Sequence, residues 1–383
     1  MSKPAEKAGG PLESYSPKKN PEILNLMENA GKINMTYEVK TANGGSYISG
    51  IPFLKWGLWQ DCTYGGALAL IFDAMGVETN YEEIMGFSGA CYKIVMNDSW
   101  GPESEMLQVG VNCEYNITRA LGIDMYCIGD DIERDINVIK NLDNGYPVLA
   151  CGQRDAPEWT IITGYERKFD KINFFGRTYF DCGTDEYKYP LPKEEEIFTE
   201  NQYFHANQYP GTFPQALLRF FDRKGDPVDK KSALKTSLET CIRSFEELPS
   251  HYKQGYDAYD ILIAGFELDD ESYQTQCTND QYHIGSLQDA RRAAYIFLER
   301  NANLLSGKNE KAILAVSNLY KTMLKNLLTV IPYEKTSAIF NASSNPVWSE
   351  DKRFALSAVL KENKAFEEQA QDIIKTVLDQ WDN

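Results

Sequence analysis

The hydrophobic periodicity of the chain changes character near residue 225, and this change constrains the fold more than any other feature. Beyond it, residues 229–246, 256–267, 286–301, 308–331 and 349–381 repeat apolar side chains at helical spacing. Asp, Ser or Asn stands near several of the starts, and Pro227, Pro249, Pro332 and Pro346 fall before or between them. Before it, from about 45 to 190, the pattern mixes helix with strand. The expected class is therefore α+β: an arm over 1–44, a mixed domain over 45–225 and an α-helical domain over 226–383.

Within the mixed part, residues 63–75 place Leu68, Ile71, Phe72 and Met75 on one helical face, with Gly76 as the stop. Helices are expected over 116–121 and 132–142. A short apolar run spans 125–128, and strands are expected over 147–151, 159–165 and 178–182, with charged and turn residues separating the last two. The long charged faces of the C-terminal helices read as solvated surface.

Charge excludes some partners. With 39 Lys+Arg against 56 Asp+Glu, the net charge is −17, which disfavours a sequence-independent grip on nucleic-acid phosphates or on anionic lipid. It is compatible with cationic small molecules such as amines. No run approaches 18 apolar residues, and the first residues lack the apolar stretch of a secretory signal, so a cytoplasmic location without membrane contact is expected. Eight cysteines are scattered without a CxxC pair, which fits neither a zinc site nor a disulfide scaffold, and no metal is expected. Asp130, Asp131, Glu133 and Asp135 resemble a metal cluster on paper but straddle a helix start, where acids favour the dipole. Histidine is scarce: only His205, His251 and His283 occur.

Cys62 directly precedes the helix over 63–75. The positive end of a helix dipole favours a thiolate there, and Gly65 and Gly66 allow close approach to the first turn. Gln60 is placed to donate to an oxyanion. Trp56, Trp59, Tyr64 and Trp100 cluster in sequence around this point and suit either an acyl pocket or ordinary core packing. Glu105 is a candidate for binding a cationic acceptor.

The segment from Glu158 to Tyr165, Glu-Trp-Thr-Ile-Ile-Thr-Gly-Tyr, and the later Thr178-Tyr-Phe-Asp181 give these residues a context. With Cys62 they resemble, in chain order, the papain-like cysteine peptidase superfamily, especially its leader-peptide-processing branch. Cys62-Thr-Tyr-Gly-Gly-Ala-Leu, Met85-Gly-Phe-Ser-Gly-Ala-Cys-Tyr-Lys93 and Asp289-Ala-Arg-Arg-Ala-Ala-Tyr-Ile-Phe-Leu298 resemble acyltransferases related to the butirosin-pathway enzyme. The resemblance implies a papain-like fold with Cys62 as nucleophile and Asp181 as orienting carboxylate. Glu158 stands where the peptidases have histidine, and no histidine lies between Cys62 and Asp181.

That replacement bears on chemistry. A carboxylate near pKa 4.3 is a poor base for a thiol near 8.5, but paired carboxylates share a proton and one pKa rises. A raised Glu158 can accept a proton from the thiol or an amine, yet it supplies no imidazolium to protonate a departing amine. A thioester expels a thiolate that needs no such proton. Acyl transfer from a carrier-protein thioester to an amine, diamines included, is therefore favoured over proteolysis. No cofactor is expected beyond the phosphopantetheine that the acyl or peptidyl carrier protein brings. An inactive binding module and a cysteine peptidase are the alternatives, and His205 is a further candidate base. The carrier is expected to dock on basic residues, for which the helix containing residues 289–300 is a candidate.

Overall fold

The structure, a computed structural model, describes residues 37–42, 44–52, 54, 59–97, 109–127, 131–151, 159–168, 171–177, 204–205, 218–223, 225–248, 251–277, 279–333, 336 and 348–381. Up to residue 225 these form strands β1 (Glu38–Ala42) and β2 (Gly45–Ser49), helices α1 (Thr63–Ala74) and α2 (Tyr81–Ser88), and strand β3 (Val95–Asn97). Helix α3 (Cys113–Leu121), strand β4 (Asp124–Tyr126) and helix α4 (Asp131–Asp143) follow. Then come β5 (Val148–Cys151), β6 (Trp159–Lys168), β7 (Lys171–Arg177), β8 (Phe204–His205) and β9 (Leu218–Asp222). The remainder is α5 (Lys230–Arg243), β10 (Tyr252–Gln254), α6 (Tyr256–Phe266), α7 (Asp270–Gln276), α8 (Asp280–Asn301), α9 (Gly307–Val330) and α10 (Glu350–Asp379). The fold is mixed α+β.

The main sheet is antiparallel and branches at β6. One edge of β6 pairs with β7; the other pairs first with β5, Ile162 opposite Val148, and then with β2, Gly164 opposite Tyr47. The register shifts between Ile162 and Gly164, and a side chain on Gly164 would put its Cβ 2.5 Å from that of Tyr47. Only glycine lets β2 approach this bulge. Alternation then sorts the two faces of the sheet. Leu149, Ile161 and Phe221 join α1, whereas Val148, Ile162 and Phe220 join Val138 and Leu142 of α4.

Helix α1 carries its expected apolar face inward, with Leu68, Ile71, Phe72 and Met75 all buried. It ends at Met75 and Gly76, the latter at φ +71°, a conformation glycine adopts without strain. Asn80, Asn112, Asp229 and Asp269 each cap a helix by accepting from the backbone N–H three residues on.

Several expectations are corrected. The interval read as charged turn residues holds strand β7, because Ile172, Phe174 and Phe175 join one apolar cluster and Gly176 lies opposite Ile162. Helix α3 begins at Cys113, earlier than 116, and α8 at Asp280, earlier than 286. Helices α2 and α7 and the β1–β2 hairpin were not anticipated, although the Asn43-Gly44 dipeptide is a hairpin signal. The strand expected over 178–182 lies outside the described residues.

The two textures share one core. Leu68, Ile71, Met85 and Tyr92 cluster with Leu234, Phe297, Ile313, Tyr320, Met323 and Ile374. The segments 85–93 and 289–298, singled out separately in sequence, pack on each other. Phe87 meets Phe297 edge-on at 4.9 Å, and an alanine Cβ at Gly86 would fall 2.0 Å from the Phe297 ring. Arg291 is fully buried; it donates to the carbonyl oxygen of Cys91 at 2.9 Å and pairs with buried Glu367 at 2.5 Å. Arg291 therefore presents nothing to a docking carrier, and Arg292 and Arg300 both face Glu82. Among the described residues, no helix is long and apolar enough to cross a membrane.

Candidate functional site

Cys62 is the N-cap of α1, in extended conformation, and its side chain makes no capping hydrogen bond. Of the described cysteines, 91, 113, 151, 241 and 277 are buried, Cys127 is exposed and Cys62 is half-buried. Gly65 in the first turn sits where a Cβ would come 3.6 Å from the Cys62 sulfur and 3.1 Å from that of Met85. The missing side chain makes room for Met85 and for Tyr81, whose ring would lie 3.2 Å from that Cβ.

A cavity of about 30 Å³ opens beside Cys62. One water needs ~10–15 Å³, so the space admits a group of two or three heavy atoms. Its walls come from four places: Asp61–Thr63, Ile94–Met96 at β3, Leu262 of α6, and the α8 face that carries Tyr282, His283, Ser286 and Asp289. Strand β3 is held there by β10, with Met96 opposite Lys253, and by the Gly255 N–H donating to the Ile94 carbonyl at 3.0 Å. The site thus lies between the mixed and the helical parts of the chain.

Asp289 organises the near wall. Its Oδ2 accepts from the Tyr81 hydroxyl at 2.5 Å and from the Asp61 N–H at 3.2 Å. The Tyr81 oxygen in turn accepts from the Cys62 N–H at 3.1 Å. Asp289 is 1% exposed, and burial pushes its carboxyl up to about 6, against the Tyr81 hydrogen bond and the nearby Arg292 charge. Burial, then the charges of Asp289 and Cys62, push the Tyr81 phenol well above its usual value. Lys93 is fully buried and donates to the Val109 carbonyl. Burial lowers its pKa, opposed by negative charge at Cys113 and then at Cys62.

The sequence-derived candidates divide. Trp59, at φ 62°, stacks on Tyr333 at 3.7 Å under the Arg292 guanidinium, and its N–H donates to the Tyr333 hydroxyl. Tyr333 itself donates to Asp61 at 2.8 Å, which fixes the approach to Cys62. Tyr64 is fully buried on the sheet side, edge-on to Trp159 at 4.8 Å, with its hydroxyl on Glu114, and takes the core-packing role weighed for it. Gln60 is half-buried two residues before Cys62. His205 lies in β8, its backbone paired opposite Phe175 of β7. Trp56, Trp100, Glu105, Asp130, Glu158 and Asp181 lie outside the described residues. Of the acidic group at α4, Asp135 pairs with Arg134 at 2.8 Å, and no three metal-ligating side chains come together among the described residues.

Sequence reasoning missed Tyr81, Lys93, His283 and the role of Asp289. A trace existed: Tyr282, Ser286 and Asp289 recur at i, i+4 and i+7, a polar stripe in a helix that otherwise buries Ile284, Leu287 and Ala290. Compared with known proteins, the chain matches no family model and no curated protein.

Proposed function

We propose that this protein is a cysteine-dependent N-acyltransferase of papain-like fold, moving an acyl group from a carrier-protein thioester to an amine. The observation that carries the reading is the half-buried Cys62 at the start of α1, lining a cavity shared with a buried carboxylate and a histidine. In the first half-reaction the Cys62 thiolate attacks the thioester carbonyl, its C–S bond to phosphopantetheine breaks, and the carrier thiolate leaves. In the second, an amine attacks the acyl-enzyme, the amide forms and Cys62 is released.

Glu158 is the proposed base and Asp181 its partner, on the resemblance described above. The contact between Tyr64 and Trp159, which follow Cys62 and Glu158 in sequence by two and one residues, supports that pairing. Because the Tyr81 hydroxyl already engages the Cys62 N–H, the Gln60 amide is the favoured oxyanion donor. With Glu158 where the peptidases have histidine, that position offers no imidazolium to protonate a departing amine, which disfavours peptide hydrolysis.

Incubation with acyl-loaded carrier proteins, read by intact mass, tests the reading. The expected result is an acyl adduct that disappears in Cys62→Ala, and an amide when amine is added. Glu158→Gln is expected to slow transfer by about 10²–10⁴-fold. Failure of every donor to label Cys62, with ligand affinity unchanged in Cys62→Ala, would assign the protein to a binding module instead.

A further inference from the structure

Asp289 is held in a state that its surroundings leave unfinished. Both hydrogen bonds it accepts fall on Oδ2; Oδ1 is buried and meets no donor among the described residues. Nor does any described cation lie within ion-pair distance, because the Arg292 guanidinium is turned to Glu82 at 2.9 Å and over Trp59. A buried carboxylate oxygen without a partner is costly, and a functional role is one reason for a folded protein to keep it. Here the group forms part of the same cavity wall as the proposed nucleophile.

We propose that Asp289 is the recognition site for the acceptor amine, with the ammonium head of a primary amine seated against Oδ1 beside Cys62. The inference rests on the acyl-enzyme reading above and names the residue that selects the second substrate. A cation satisfies both deficits at once, since it donates the missing hydrogen bond and neutralises the buried charge. A neutral hydroxyl supplies only the first. The cavity admits the head group and little more, so the rest of the amine extends outward, and the net charge of −17 draws cations toward the protein.

The step balances. The bound ammonium first gives one proton to Glu158, the base proposed above. The free amine nitrogen attacks the acyl carbonyl, the N–C bond forms, and the C–S bond breaks with its electron pair returning to the Cys62 sulfur. The second nitrogen-bound proton passes to Oδ1 of Asp289, leaving a neutral amide.

Two measurements test this. In the first, Cys62 is acylated with a propionyl N-acetylcysteamine thioester and the acyl-enzyme is challenged with ethylamine in water; the readout is the ratio of amide to free acid. Losing one charge-assisted contact corresponds to about tenfold or more, so Asp289→Asn should lower that ratio by at least that factor. An unchanged ratio in Asp289→Asn, with a lowered one in Glu158→Gln, overturns the assignment in favour of Glu158. In the second, iodoacetamide alkylation of Cys62 in the wild-type protein is timed with propylamine or 1-propanol at equal concentration. The ammonium should protect Cys62 and the alcohol should not; equal protection by both, or none by either, overturns the proposal. This arm needs neither a folded variant nor acylation. A protein that fails to acylate yet shows amine-selective protection refutes the acyl-enzyme reading while upholding the amine site.

Discussion

Replacing Asp289 by Asn should make the folded protein more stable at neutral pH, which is unusual for a buried hydrogen-bonded residue. Raising a carboxyl from its ordinary 3.8 to about 6 costs the folded state about 3 kcal/mol wherever the group is ionised in both states. Below 3.8 the group is neutral folded and unfolded, so the cost is absent; it grows as pH rises and is complete above the folded value of about 6. About half is in place at pH 5 and all of it at pH 8. Asn reproduces the neutral carboxyl, since its amide oxygen can accept from Tyr81 and from the Asp61 N–H. Its NH₂ takes the place of an oxygen that was itself unpartnered, so those two desolvation costs nearly cancel. The expected gain is about 1–3 kcal/mol at pH 8, falling as pH drops toward 5. Urea unfolding of wild type and Asp289→Asn at pH 5 and pH 8 measures it as a difference in midpoints at equal slope. Added ethylamine should raise the wild-type midpoint at pH 8 and leave that of the variant unmoved. A variant no more stable than wild type at pH 8, with the same pH dependence, would show that Asp289 is not held as a penalised charge.

Iodoacetamide applied to the native protein should modify Cys62 and Cys127 first among the described cysteines, because the other five are buried and burial pushes Cys241 and Cys277 up to about 12. Peptide mass mapping checks this, and labelling of Cys241 at the rate of Cys62 would contradict it. Glu367→Ala should destabilise by about 3–5 kcal/mol, because it strands the fully buried Arg291, whereas Arg291→Met with Glu367→Leu should recover most of the loss. Equal unfolding midpoints for Glu367→Ala and wild type would show the pair to be solvated. Gly86→Ala should cost about 1–3 kcal/mol by driving a methyl into the Phe297 ring, partly relieved by Phe297→Leu; an unaltered midpoint for the single variant would refute that contact.

Much of the local architecture was legible in the sequence. Helix α1 could be read because Leu68, Ile71, Phe72 and Met75 recur at helical spacing and Gly76 ends the run, and these are short-range regularities. The long C-terminal helices, strand β5 and most of β6 were readable for the same reason, as was the position of Cys62 at a helix start. Strand β7 was not, since its Lys, Asn and Gly residues look like a turn until β6 and β8 lie alongside. The surroundings of Cys62 were decided only by tertiary packing. Residues 62, 94–96, 262 and 282–289 are distant in the chain, and no periodicity shows that β10 pins β3 against α8. Asp289 looked like one charge on a basic helix. Burial beside Tyr81 and Asp61 turned it into a carboxylate with one satisfied oxygen and one unpartnered among the described residues, because desolvation depends on what covers a group, not on which residues precede and follow it.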